Sequence, residues 1–190
     1  MATAWIETPI PSPAGLVTFA QLEQLPDAPD FRYELHHGTL VKVPPPKHQH
    51  NRIQHNLLRL FWAALGDKDA GEAAVEMGFR ALPDHEYRVA DVAWLSSARC
   101  DRMLDGYLLG SPELVVEVLS PSNSVREISD KEHLCLESGS LEFWTVDPVR
   151  LQVKVSTVQG GTRTYTSGQR IPLLFGGTIA VDDIFRRRRQ

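Results

Sequence analysis

Two short apolar runs constrain this chain most, because each has the length of one buried strand and each is broken by a single carboxylate. In "ELVVEVLSPSN", Glu113 to Asn123, the segment Leu114 to Leu119 reads as a strand covered on both faces, with Glu117 at its centre. In "RVADVAWL", Asp91 interrupts a run that is otherwise apolar from Val89 to Leu95. Strand alternation puts Asp91 on the face of Val89, Ala93 and Leu95, and Glu117 on the face of Val115 and Leu119. An ionised carboxylate without a partner in an apolar interior costs several kcal/mol, so each acid needs a cation, a set of donors or access to water.

The helix expected after "SPSN" supplies a candidate cation. Ser122 or Asn123 is expected to cap it and Gly139 to end it. Ile128, Lys131, Leu134 or Cys135, and Ser138 recur at three- and four-residue spacings, which places Lys131 on or beside the stripe facing the sheet. The plainer reading is an exposed pair with Glu127 at i,i+4, with Glu132 also close. Taken singly, a strand carboxylate more often sits at a solvated strand end or in a structural ion pair. Two acids in neighbouring buried strands, with a lysine on the helix that follows one of them, shift the balance toward a site.

The rest of the chain supplies a frame for these residues. Thr18 caps a short helix expected over Phe19 to Leu25, and "FRYELHHGTLVKV" reads as a β-hairpin turning at His37-Gly38. After "PPPK" a long helix carries Ile53, Leu57, Leu60, Phe61 and Ala64 on one stripe and ends near Gly66. Strands follow over Ala73 to Leu82 and Arg88 to Leu95, then an irregular or short helical piece to Gly110. Beyond the second long helix, "LEFWTVDP", "RLQVKVST" and "TRTYTSG" read as strands, and a further pair fits within 170–181. The fold class is α/β of the mixed α+β kind, a central mixed sheet flanked by helices, with an N-terminal hairpin and extra C-terminal strands. Residues 1–16 read as a flexible leader, 17–185 as one domain and 186–190 as a basic tail.

Composition narrows the function classes. At 190 residues, with 42% hydrophobic and 23% charged content, the chain can bury a sizeable core. No apolar run approaches the roughly 18 residues of a membrane span, and the N-terminus lacks the basic start and apolar centre of a secretory signal, so a cytoplasmic protein with no membrane partner is expected. Cys100 and Cys135 form no CxxC pair, which suggests neither a disulfide framework nor a zinc site. A net charge of −4 argues against a general nucleic-acid coat but leaves room for a site that holds a cation.

Asp91, Glu117 and Lys131 are the minimal set for metal-assisted attack on a phosphodiester. Mg²⁺ takes oxygen ligands and commonly only one or two protein carboxylates, leaving places for water and phosphate, while a lysine can orient the nucleophile. Glu34, between Tyr33 and Leu35 in the hairpin, and His50, ahead of Ile53 and Leu57 on the first long helix, are fainter members of the set. His36, His37, His48 and His55 match no zinc spacing and read as surface or loop residues. Trp62, Trp94 and Trp144 read as core or interface residues, and the run Arg186 to Arg189 as a solvated tail or a contact to phosphates.

"YELHHGTLV", the histidine opening the first long helix, "RVADVAWL", "PELVVEVLSPSN" and "DKEHLCLESGSLEFWTVDP" together resemble, in that order, the Uma-two family of restriction-endonuclease-like proteins, within the PD-(D/E)XK nuclease superfamily. The likeness runs from about Phe19 to Val155. It implies a central mixed sheet, a divalent-metal site for Mg²⁺ or Mn²⁺, and DNA as substrate. By position, Asp91 matches the motif aspartate, Glu117 the second acid, Lys131 the lysine, Glu34 an upstream glutamate and His50 the helix histidine. The Val118 carbonyl would be an extra metal ligand. Ala90 stands where the superfamily has proline, and Leu119 stands where it has lysine. Lys131 can replace that lysine only if its ammonium reaches the same space from the helix. Superfamily nucleases often dimerise, so a homodimer is expected. Two other functions fit the same residues: a nuclease-fold protein that binds nucleic acid or a protein without cutting, and a hydrolase of small phosphoesters.

Overall fold

Glycine and a left-handed histidine set the first supersecondary unit. After α1 (Phe19–Leu22) come β1 (Arg32–His36) and β2 (Thr39–Val43), joined by His37 and Gly38 with φ of 49° and 74°. Positive φ at both central positions matches the twist of paired strands, and the pair forms its own two-stranded sheet as expected. The structure, a computed structural model, describes residues 15–100, 107–121 and 123–187. Most of the expected leader, part of the piece before Gly110, Ser122, and Arg188, Arg189 and Gln190 of the tail lie outside the described residues.

Next come α2 (His48–Leu65), β3 (Glu72–Arg80), β4 (Arg88–Leu95), α3 (Ser97–Cys100), β5 (Leu108–Leu109) and β6 (Leu114–Val118). They are followed by α4 (Val125–Ser138), β7 (Glu142–Asp147), β8 (Gln152–Thr157), β9 (Thr162–Tyr165), β10 (Arg170–Pro172), β11 (Thr178–Ala180) and α5 (Val181–Phe185). Among the described residues the main sheet has seven strands in the order β5-β3-β4-β6-β7-β8-β9. β3 with β5 and β6 with β7 are parallel, and the other neighbours are antiparallel. A parallel step needs a crossover, and α4 makes the one from β6 to β7.

Helices cover both faces, which is why β4 and β6 are buried along their whole length. On one face Ile53, Leu57 and Phe61 of α2, with Val181 and Ile184 of α5, pack on Val92, Trp94, Val116 and Trp144. On the other, Leu134 and Cys135 of α4 pack on Ala93, Leu95, Val115 and Phe143. Each fully buried Leu, Ile or Phe here contributes about 1.5–3 kcal/mol over its exposed state. The Glu117 side chain therefore starts on the α4 face, beneath the helix that carries Lys131.

Several local details differ from the sequence reading. Helix α1 stops at Leu22 rather than Leu25, with Thr18 and Gln21 closing a capping box at its start. Helix α4 is capped by Ser124, not by Ser122 or Asn123. Asn123 instead accepts from the Ser120 N–H at 2.8 Å, which turns the chain before the helix begins. Glu127 completes the Ser124 capping box and so is not the partner of Lys131. Trp62 is 57% exposed, its Nε1 donating to the Ala73 carbonyl at 3.1 Å, which removes the core half of its core-or-interface reading, whereas Trp94 and Trp144 are buried. Helix α5 is too short to leave a periodic signal in the sequence.

Candidate active site

The sheet opens at its acidic residues. β4 and β6 pair through Val92 with Val116, Ala93 with Val115 and Trp94 with Leu114. The next pair in that register is Asp91 with Glu117, and there side chains replace the backbone ladder. Asp91 N–H donates to Glu117 Oε1 at 3.4 Å, and Val118 N–H donates to Asp91 Oδ2 at 2.7 Å. On the opposite edge of β4, the β3–β4 ladder omits the pair Glu76 with Asp91, and Glu76 has φ +51°. Ala90 then packs in the same layer as Ala93 and Leu95, so the strict alternation expected through Asp91 fails at this interruption.

Lys131 reaches the acids from α4. Its Nζ lies 2.8 Å from Glu117 Oε1 and donates to the Val89 carbonyl at 2.8 Å, filling the gap where β4 and β6 part. The hairpin supplies Glu34, buried, with Oε1 accepting from Arg32 Nε at 3.1 Å and Oε2 lying 3.0 Å from His36 Nε2. From α2, His50 Nε2 lies 2.9 Å from Asp91 Oδ1, and Gln54, one turn on, donates to the same oxygen at 3.1 Å. Gln54 also donates to Glu76, which takes Arg32 on its other oxygen. All five expected site residues, Glu34, His50, Asp91, Glu117 and Lys131, thus belong to one linked cluster. Val118 joins it through its N–H.

Electrostatics follow from this crowding. Burial pushes the Glu117 carboxyl up, and the charge of Asp91 adds to the push, so that it stands at about 7 despite the pull of Lys131. Burial alone would lower Lys131, but Glu117, Glu34 and Asp91 raise it and keep the ammonium charged. Burial also opposes ionisation of Glu34, yet His36, Lys131 and Arg32 hold it down at about 2. For His50, burial is outweighed by Asp91, Glu117 and Glu76, and its pKa is raised. Glu34, Glu76, Asp91 and Glu117 face two fixed cations, Lys131 and Arg32, and of the two histidines in reach His50 has its pKa raised and His36 has its pKa lowered. The cluster is short of positive charge.

That shortage and the oxygen-only character of Asp91 and Glu117 suit a hard divalent cation. Among the described residues no three His, Cys, Asp or Glu side chains form a group that could hold a metal. A two-carboxylate donor set completed by water suits Mg²⁺ or Mn²⁺ and not the closed tetrahedron of a structural zinc.

Sequence reasoning missed four members of the cluster. His36 is not a surface or loop residue: it lies in β1, half-buried, with its pKa lowered by burial against the hydrogen bond to Glu34. Its alternation with Glu34 along the strand was the available signal. Arg32 shares that face. Gln54 could have been found at i+4 from His50. Glu76 left no clear signal, because a glutamate in a half-exposed strand is ordinary.

A second polar group braces the hairpin beside the site. The His37 N–H donates to Glu86 at 2.6 Å, Arg88 Nε donates to the same carboxylate at 2.9 Å, and Asp130, next to Lys131, lies 3.1 Å from His37 Nε2. The turn of the hairpin is thereby tied to the second turn of α4.

The layering, the opened central strands and the acid–lysine cluster define a nuclease-like fold. Among solved structures, the crystal structure described as "a putative nuclease belonging to DUF820" from Anabaena variabilis is 21% identical to this chain, with a TM-score of 0.77 over 89% of this chain and 97% of that one. At that identity the likeness speaks to the fold. The family model Uma2, described as "Putative restriction endonuclease", matches residues 19–186, and the chain belongs to that family. None of the curated proteins compared matches it. No helix among the described residues is long and apolar enough to cross a membrane.

Proposed function

We propose that the protein is a Mg²⁺- or Mn²⁺-dependent endonuclease that hydrolyses DNA phosphodiester bonds. The observation that carries this reading is Lys131: its ammonium stands 2.8 Å from Glu117 Oε1 although it comes from a helix and not from the strand position of Leu119. Asp91 and Glu117 would hold the cation, with the Val118 carbonyl as a further oxygen ligand. The cation supplies charge neutralisation at the phosphate and acidifies water. Lys131, anchored on the Val89 carbonyl, holds a charged donor beside Glu117, where it orients the attacking water. Glu34, from the hairpin side, favours the charged form of that ammonium and would be a further water or metal contact. His50 holds Asp91 and offers a phosphate contact.

The test is DNA cleavage with Mg²⁺ or Mn²⁺ by the wild type and by Asp91→Ala, Glu117→Ala and Lys131→Ala. Each variant should lose activity by about 100-fold or more, in the range of acid–base and positioning groups. Equal cleavage by all four proteins would remove the catalytic assignment.

A second reading draws on the protein donors that already occupy the acids: Asp91 Oδ1 and Oδ2 accept from Gln54 and Val118, and Glu117 Oε1 faces Lys131. In it the cluster is a structural network of a protein that binds nucleic acid or a protein partner without cutting. Metal binding without cleavage would favour it.

A further inference from the structure

Glu76 stands out for its backbone. Among the described residues it is one of three non-glycine positions with positive φ, at +51°, and the other two, His37 and Leu151, lie outside strands. A left-handed glutamate inside a strand is strained, and such strain persists where something else fixes the residue. Here it faces Asp91 across the missing rung of the β3–β4 ladder.

The side chain shows what the strain achieves. One Glu76 oxygen accepts from Gln54 Nε2 and the other from Arg32. The same Gln54 nitrogen donates to Asp91 Oδ1 at 3.1 Å. Gln54 is fully buried, so its amide has no water to turn toward. With carboxylates on both sides, only the NH₂ end can face them, and the carbonyl end must point away. Glu76 therefore takes the second hydrogen of the NH₂ group that meets Asp91, and fixes where that nitrogen stands. Without it, the amide nitrogen loses its acceptor on the β3 side, and nothing on that side holds it against Asp91 Oδ1.

We propose that Glu76 is a positioning residue that acts through Gln54 to hold Asp91 in the orientation used for the divalent cation. This rests on the metal-dependent reading above. Partners of this kind, which orient a ligand without touching the metal, typically change metal affinity by about 10- to 100-fold.

The test is Mn²⁺ titration by calorimetry, together with thermal midpoints, on the full chain as wild type, Glu76→Asn, Glu76→Gly, Gln54→Met and the double variant Gln54→Met/Glu76→Gly. Asn and Gly accept the left-handed backbone but cannot reach Gln54. Both Glu76 variants should bind Mn²⁺ about 10-fold more weakly while the midpoint holds or rises. The double variant should bind no more weakly than Gln54→Met alone, because the two residues act in series.

Affinity within twofold of wild type in both Glu76 variants would overturn the proposal. So would weakening that appears only with a lowered midpoint, which is the mark of a merely structural residue, or losses that add fully in the double variant. A wild type that binds no Mn²⁺ would overturn this and the metal-dependent function together. Wild-type binding that the Glu76 variants retain would overturn this alone.

Discussion

Lys131 and Glu117 meet at 2.8 Å between two strands that have stopped pairing. Fourteen positions after the glutamate, the chain returns an ammonium to the opening that the glutamate helps to make, and the Val89 carbonyl fixes it there. Stability and pH response both run through this pair, and under the proposed function catalysis does too.

Removing the lysine should be costly. Lys131→Met leaves Glu117 buried without its cation, and breaking a buried pair in this way costs about 3–5 kcal/mol. Urea denaturation at pH 8 should show that loss, and Lys131→Met/Glu117→Gln should recover most of it. A single variant as stable as the wild type would mean that Glu117 draws its compensation elsewhere.

The lysine should also be movable. Strand alternation continued two residues beyond Glu117 would put position 119 on the α4 face, where an ammonium could enter the same opening. In Leu119→Lys/Lys131→Ala, cleavage should recover at least tenfold over Lys131→Ala. Activity no better than that of the single variant would show that the route from α4 is itself required.

Glu117 predicts an alkaline weakness. Its carboxyl is raised from 4.5 to about 7 in the folded chain, so the folded state binds more protons than the unfolded state between those values. Stability should therefore fall as pH rises from about 4.5 through 7. Thermal midpoints in a metal-free buffer should show this slope, Glu117→Gln should flatten it, and saturating Mn²⁺ should reverse it. A flat profile in the wild type would contradict the burial argument.

Glu34 predicts the opposite behaviour in acid. Held at about 2 against an ordinary 4.5, it leaves the folded chain with fewer bound protons than the unfolded one. Its contribution is complete above pH 4.5 and is lost as pH falls toward 2. Glu34→Gln should lower stability at neutral pH and shrink the loss between pH 5 and 2, which circular dichroism during acid titration would read. An unchanged acid limb would place the stabilising charge on another residue.

Much of this arrangement is legible in the sequence. Glu117 and Asp91 stood out because period-two patterning leaves no place for a carboxylate in a strand covered on both faces, and Lys131 because helical spacing aimed it at the sheet. The hairpin was legible from His37-Gly38. What patterning could not carry was the side-to-side arrangement of segments far apart in the chain: Glu76 opposite Asp91, Arg32 between Glu34 and Glu76, and Gln54 between Glu76 and Asp91. Those depend on register, and register at Asp91 is interrupted by a backbone angle that a glutamate does not advertise. The cap of α4 was misplaced for a local reason, since Asn123 serves the turn and leaves the capping to Ser124.

The anchoring of Lys131 on the Val89 carbonyl has a consequence for how such sites are to be sought. Under the proposed function, what the chain must preserve is a charge at one point in space, and the strand, the helix or another segment can deliver it. A search keyed to a fixed interval between glutamate and lysine passes over this protein, whereas a search for an ammonium in the cleft between two parted strands finds it.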